Sequence, residues 1–149
     1  MIITSRTLSI GLAIALLAGI AQAQSTPVGV WKTIDDETKK EKSLIRLTEN
    51  SGVISGKIEK FLDPATKPDA VCDKCADERK DQPIMGMTLV RNIKQNADNK
   101  EVWDGGDILD PNNGKVYKLR LKPLDGGKAL EVRGFIGPFY RNQTWILAE

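Results

Sequence analysis

The sequence predicts an all-β protein in which about eight antiparallel strands follow one another as a meander and close into a barrel. Three observations lead to this prediction. Between Trp103 and Gly137, apolar and polar side chains alternate with a period of two, the pattern of a strand with one buried face. Clusters of Gly, Asn, Asp and Pro, the residues that tight turns favour, separate the alternating segments. No segment has a convincing amphipathic helical period. A two-sheet sandwich would need a similar number of strands, but the predominance of sequential hairpins favours the barrel.

The strands are expected in a simple order along the chain. Residues 103–137 should form three of them, joined by turns at 110–114 and 125–127, with Tyr117 on the inward face of the middle strand. The approach to the first of these three strands begins at residue 101, and the other predicted strands cover residues 27–34, 43–49, 53–61, 85–94 and 143–147.

Glycines inside two predicted strands indicate bends. Gly56 lies in the third strand, and the pair Gly105-Gly106 lies in the fifth. An isolated glycine in a strand usually marks a bend or bulge, which a sheet needs if it is to close on itself.

Residues 63–83 break the alternation and are expected to form the long loop of the fold. They contain Cys72 and Cys75, the two cysteines of the chain. Two cysteines at this spacing in an exported protein favour a disulfide across a tight turn. A redox dithiol would need the N-terminus of a helix to lower the pKa of one thiol, and a zinc site would need soft ligands from a second copy of the chain. The structural disulfide is the favoured interpretation.

Residues 1–23 have the pattern of a secretory signal peptide. Arg6 precedes an apolar stretch that is short for a bilayer span, and small residues at 21–23 predict cleavage after Ala23. The mature domain is therefore expected to comprise residues 24–149 and to reside in the periplasm or outside the cell, without a membrane span.

The composition argues against several classes of function. The chain has no histidine, which excludes imidazole bases, His-assisted nucleophiles and His-ligated metals. The formal net charge is +2, with both signs interleaved, so no nucleic-acid surface is expected. Local carboxylate pairs lie in or beside predicted turns. We therefore expect no enzyme activity, no cofactor and no metal site.

The large aromatic residues supply the candidate sites. Trp31 is expected to be a buried anchor, with Arg133 or Arg141 lying over its indole. A ligand pocket is predicted beside Trp103, Tyr117 and Phe135, with Arg133 at its rim to bind a carboxylate.

The chain also resembles a known family. The segments that carry the resemblance are Gly29-Val30-Trp31-Lys32-Thr33, Gly56-Lys57-Ile58, Cys72-Asp73-Lys74-Cys75, Trp103 to Pro111, Gly114 to Tyr117 and Val132 to Gly137. They are similar to the bacterial exported family called domain of unknown function 2147. The resemblance implies a lipocalin-like or calycin-like barrel in the cell envelope or outside the cell. Gly29-Val30-Trp31 is also similar to the Gly-x-Trp element of lipocalin first strands, where the Trp packs under a basic residue.

Two functions from different classes fit these predictions. The first is an exported binding module that holds one small amphiphile or lipid. The second is a structural or interaction protein that presents its loops, above all residues 63–83, to a protein partner of the cell envelope. The volume and polarity of the barrel interior distinguish the two.

Overall fold

The computed structural model describes residues 25–148. The predicted signal peptide lies outside these residues. Within them the chain forms eight antiparallel strands and one short 3-10 helix at Asp125–Gly127. The strands are β1 (Gly29–Ile34), β2 (Glu41–Asn50), β3 (Val53–Phe61), β4 (Thr88–Gln95), β5 (Trp103–Asp110), β6 (Lys115–Leu124), β7 (Ala129–Ile136) and β8 (Phe139–Leu147). Each strand pairs with the next and β8 returns to β1, so the predicted closed all-β barrel is confirmed. None of the helices in the described region has the length and apolar character needed to cross a bilayer.

The connections alternate between the two ends of the barrel. The β2–β3, β4–β5 and β6–β7 turns lie at one end, which we call the closed end, together with the start of β1 and the end of β8. The remaining connections, including the long loop of residues 62–87, lie at the other end, which we call the open end.

The barrel interior holds one hydrophobic core. On β6, Leu119 and Leu121 are buried and Tyr117 is half-buried, while Val116 and Lys118 are exposed. The predicted inward and outward faces of this strand are therefore confirmed. The same alternation on the neighbouring strands brings Leu130, Val132 and other apolar side chains to the interior.

Both predicted glycine bends coincide with irregular strand pairing. The register of β3 against β4 shifts on each side of Gly56, and that of β5 against β6 shifts between Trp103 and Gly106. A Cβ atom on Gly106 would lie 1.9 Å from the carbonyl oxygen of Arg91. Only glycine allows β4 to approach β5 this closely.

The barrel closes through a short seam between β1 and β8. This ladder consists of two residue pairs, Trp31 with Leu147 and Lys32 with Ile146. The Ala148 amide also donates to the Val30 carbonyl oxygen at 2.7 Å. Towards the open end the two strands run without pairing, which leaves a gap in the wall.

Trp31 lies at this seam, and its indole is fully buried. Its Nε1 donates a hydrogen bond to the carbonyl oxygen of Pro27 at 2.8 Å. The predicted anchor is thus present, but the predicted arginine cover is wrong. The guanidinium of Arg133 lies over the ring of Tyr140, and Arg141 forms an ion pair with Asp36.

The last strand is longer than expected. It begins at Phe139 instead of residue 143, and its first residues pair with β7. Side chains at its start are exposed on both faces. This exposure hides the alternation that marks a strand in the sequence.

Replacement of the buried anchor provides a test of the core. We expect Trp31→Ala to lower the free energy of unfolding by about 3 to 5 kcal/mol, because it empties the volume of a large buried aromatic side chain. Urea denaturation measures the change. The matched control is Phe139→Ala, whose side chain is 74% exposed; its change should stay within about 0.5 kcal/mol. Equal losses for the two variants would contradict this account of the core.

Candidate functional site

A cavity of about 360 Å³ opens at the open end of the barrel. Its deeper wall is apolar and is formed by interior side chains of several strands, among them Ile45, Ile58, Leu89, Val132 and Trp145. Its mouth is polar and carries charged side chains of both signs. The cavity is therefore amphipathic, with an apolar inner part and a polar mouth.

A hydrogen-bonded network at the mouth spans the gap between β1 and β8. The Asp36 carboxylate accepts from the guanidinium of Arg141 and, at 3.3 Å, from the amide nitrogen of Gln143. The Gln143 side-chain oxygen in turn accepts from Nε1 of Trp145 at 3.2 Å. Because Trp145 lines the apolar wall, the network connects the mouth to the depth of the cavity.

A second carboxylate at the mouth is held by its own turn. Asp35 accepts hydrogen bonds from the backbone amide of Thr38 at 2.7 Å and from its hydroxyl at 2.9 Å. These bonds, with Lys42 3.5 Å away, lower the pKa of Asp35 from 3.8 to about 2. The group is therefore ionised at neutral pH, and its hydrogen bonds stabilise the β1–β2 turn.

The long loop forms part of the cavity wall through Thr66 and Ile84. It contains the predicted disulfide between Cys72 and Cys75, whose Cα atoms are 5.4 Å apart. The sulfur of Cys72 lies 3.8 Å from the carbonyl oxygen of Pro111 in the β5–β6 turn. The disulfide therefore packs the loop against a turn that also lines the cavity.

Gly114 allows this packing to be close. Its φ angle is +72°, and a Cβ atom at this position would lie 1.9 Å from the carbonyl oxygen of Lys74. The Lys74 ammonium also donates to the carbonyl oxygen of Asn112 at 3.0 Å. The close approach of the two backbones and the Lys74 hydrogen bond thus both hold the long loop on the β5–β6 turn.

The base of the loop is fixed by Arg79, which is 5% exposed. Its guanidinium donates to both carboxylate oxygens of Asp77 and, at 3.0 Å, to the carbonyl oxygen of Thr88 at the start of β4. The hydrogen bond from Arg79 is the main reason that the pKa of Asp77 falls from 3.8 to about 2.

The structure brings only one of the four predicted ligand residues to the cavity. Tyr117 lines it, and the Tyr117 hydroxyl accepts from Asn113 at 3.0 Å. Trp103 is buried in the core near the closed end, away from the cavity lining. Phe135 pairs with Lys118 on the outer face of the barrel. Arg133 shares that outer face, where it pairs with Arg120.

The cavity instead uses residues for which the sequence predicts another role or none. The sequence predicts Arg141 as a structural cover for Trp31 and predicts no role for Gln143. Both project inward from β8, because Arg141 pairs with Gly134 and Gln143 with Val132, which also line the cavity. Gly29, the remaining structural candidate, begins β1 opposite Leu47.

The arrangement suits non-covalent binding more than metal coordination. In the described part of the chain, no three Cys, Asp or Glu side chains converge as metal ligands would. The site offers an apolar wall, a hydroxyl and an amide, and at its mouth it carries carboxylates together with the cations of Lys42 and Arg141.

Comparison with known proteins agrees with this architecture. Residues 29–146 match the model of a family described as "Uncharacterized protein conserved in bacteria", domain of unknown function 2147. The chain belongs to this family. No curated protein matches the chain as a relative. Among solved structures, the chain is similar to protein HP1028 of Helicobacter pylori, which is described as belonging to the lipocalin family, with a TM-score of 0.70 and 16% identity over 84% of each chain. This likeness shows that the chain has a lipocalin-like fold.

The close contact at Gly114 predicts how the loop can be released. We expect Gly114→Ala to displace the loop, because the new methyl group would overlap the Lys74 carbonyl. Hydrogen–deuterium exchange should then accelerate at the amides of Cys72 and Asp81, which are hydrogen-bonded within the loop. Gly126→Ala is the matched control, since its φ of +65° imposes similar backbone strain with nothing within 4 Å of the added atom. If the amides of the long loop exchange at the same rate in both variants, the close contact between Gly114 and Lys74 does not hold the loop.

The lowered pKa of Asp77 predicts a pH dependence. A carboxylate with a folded pKa of about 2 and an ordinary value of 3.8 stabilises the fold above pH 3.8, and this contribution disappears as the pH falls towards 2. Asp77→Asn should therefore lower the Tm at neutral pH, and the difference from the wild type should shrink across that window. Asp81→Asn, at an exposed ion pair with Lys80, should change the Tm little. A Tm difference for Asp77→Asn that is independent of pH would contradict the assignment.

Proposed function

We propose that this barrel binds one small amphiphile at its open end, with the apolar part against the deeper wall and the polar head at the mouth. The observation that carries the proposal is the amphipathic cavity of about 360 Å³. Its apolar depth and its polar mouth match the two ends of such a molecule.

The cavity volume limits the size of the ligand. Small-molecule sites in proteins span about 300 to 1,000 Å³, and this cavity lies near the lower limit. A compact or short-chain amphiphile therefore fits better than a long-chain lipid.

Arg141 offers a binding partner for an anionic head group at the mouth, where Lys42 and the carboxylates of Asp35, Asp36 and Asp110 also lie. The side chain of Arg141 is 66% exposed, so its ion pair with Asp36 competes with water and contributes little stability. A ligand carboxylate can replace Asp36 and accept two parallel hydrogen bonds from the planar guanidinium. Asp36 then acts as an internal competitor for the same arginine.

In this proposal the barrel is a carrier or sensor that catalyses no reaction and acts outside the cytoplasm. Asp35, a carboxylate at the mouth, has a pKa near 2 and is therefore a poor proton acceptor at neutral pH. The disulfide between Cys72 and Cys75 is typical of proteins in oxidising compartments, which supports the export predicted from the sequence.

Opposite effects of two neighbouring substitutions test the proposal. Arg141→Gln should weaken the binding of octanoate about tenfold or more, the scale of a lost charged hydrogen bond, and leave the binding of octanol nearly unchanged. Asp36→Asn should strengthen octanoate binding, because it removes both the competitor for Arg141 and a repulsive charge. Isothermal titration calorimetry measures both, with one equivalent at saturation.

The chain offers a matched control pair on the outer face. Arg46 and Glu59 form an exposed ion pair at 2.8 Å between β2 and β3. Arg46→Gln and Glu59→Gln should leave octanoate binding within about twofold of the wild type. If Arg141→Gln and Asp36→Asn weaken binding equally, the network is structural only. If octanoate and octanol both fail to saturate, the alternative of a loop-mediated protein partner becomes the better function.

A further inference from the structure

The hairpin between β7 and β8 exposes large apolar side chains to solvent. Phe139 is 74% exposed and Tyr140 61%, and Ile136 pairs with Phe139 across the turn. Val116 at the start of β6 is also exposed, and Phe135 packs against Tyr140 with ring centroids 6.1 Å apart. We call these five residues the rim patch. Clustered exposed aromatic side chains usually mark a surface that binds something apolar.

Arginines flank the rim patch in an unusual arrangement. Arg120 and Arg133 lie directly opposite each other on the outer face of β6 and β7. Like charges in this position destabilise a sheet unless an anion compensates them. Glu131 lies 3.6 Å from Arg133, whereas Arg120 forms no ion pair within the described residues, and its Nε is buried without a hydrogen-bond partner.

The arginines are held beside the aromatic rings. The guanidinium of Arg120 lies 5.5 Å from the centroid of Phe135, and that of Arg133 lies 4.7 Å from the centroid of Tyr140. Lys118 is exposed next to them and pairs with Phe135, although Asp107 lies across from it on β5. The surface therefore combines apolar side chains at the hairpin tip with three cations on the outer face of β6 and β7.

We propose that the rim patch docks the protein on a membrane surface that contains anionic phospholipids. Phe139 and Tyr140 enter the interfacial region, where aromatic side chains are favoured, and the guanidinium groups of Arg120 and Arg133 bind lipid phosphates. Apolar tips beside cations match a bilayer, which presents phosphates directly above acyl chains. A protein partner would need an acidic and apolar surface of the same layout.

Docking in this way would orient the cavity towards the bilayer. Gly134 and Arg141 line the cavity, and each is adjacent in the chain to a rim-patch residue, Phe135 and Tyr140 respectively. The mouth and the patch therefore share one end of the barrel. An amphiphile could pass between membrane and cavity without crossing bulk water, although membrane docking does not require the cavity to bind a ligand.

Vesicle co-sedimentation tests the proposal independently of ligand binding. The wild type should bind vesicles of phosphatidylcholine with phosphatidylglycerol, bind much less to phosphatidylcholine alone, and be released by salt. The double variant Arg120→Gln/Arg133→Gln should lose about 25-fold in partitioning, taking about fivefold per cation. The double variant Phe139→Ser/Tyr140→Ser should also bind less, and circular dichroism should confirm that both remain folded.

Matched substitutions elsewhere on the surface test whether vesicle binding depends on the rim patch itself or on the net charge and exposed apolar area of the whole protein. Lys57→Gln/Lys60→Gln removes two exposed cations from β3, and Val71→Ser removes an exposed apolar residue from the long loop. Both should bind vesicles like the wild type. Equal losses in these controls would overturn the proposal, as would failure of the wild type to bind anionic vesicles. The protein could instead sediment as a dimer and fail to bind vesicles. If the Phe139→Ser/Tyr140→Ser variant is then a monomer, the rim patch binds a second copy of the chain and the membrane proposal is wrong.

Discussion

Two residue pairs between β1 and β8 close this barrel, and the cavity lies beyond those pairs, at the open end. At the seam, Trp31 is fully buried and belongs to the hydrophobic core of the barrel. Above it, the wall lacks a strand ladder, and the side chains of Asp36, Arg141 and Gln143 occupy the gap. A fully paired seam would place hydrogen-bonded backbone where the polar mouth now lies. Closure and access to the interior therefore depend on the same short ladder.

The long loop completes the wall that the strands leave open. It is tied down at its base by the buried Arg79 and at its tip by contacts between the disulfide segment and the β5–β6 turn. A disulfide that closes so short a segment adds little to global stability, since the chain entropy it removes is small. Its value is local, because it fixes the backbone that packs on Gly114 beside the cavity.

Features that depend on local sequence could be predicted, and features that depend on register could not. Turns, glycine bends and the Cys72–Cys75 pair follow from nearby residues, and they were predicted correctly. Phe135 was misplaced because an aromatic residue suggests the core, whereas its pairing with Lys118 sets it on the outer face. Arg141 was missed for the converse reason: an inward-facing charge breaks the alternation from which inward positions are recognised. The polar residues that form the mouth of the cavity are therefore the ones whose inward position cannot be recognised from the sequence pattern.

The central claim is that the apolar wall and Arg141 receive the two ends of one ligand. Nuclear Overhauser effects between bound octanoate and the protein test it most directly. We expect contacts from the acyl chain to the methyl groups of Ile45, Leu89 and Val132, together with a shift of the Arg141 side-chain resonances when the carboxylate binds. Contacts confined to the exposed rings of Phe139 and Tyr140, with no effect on the interior methyl groups, would contradict the claim.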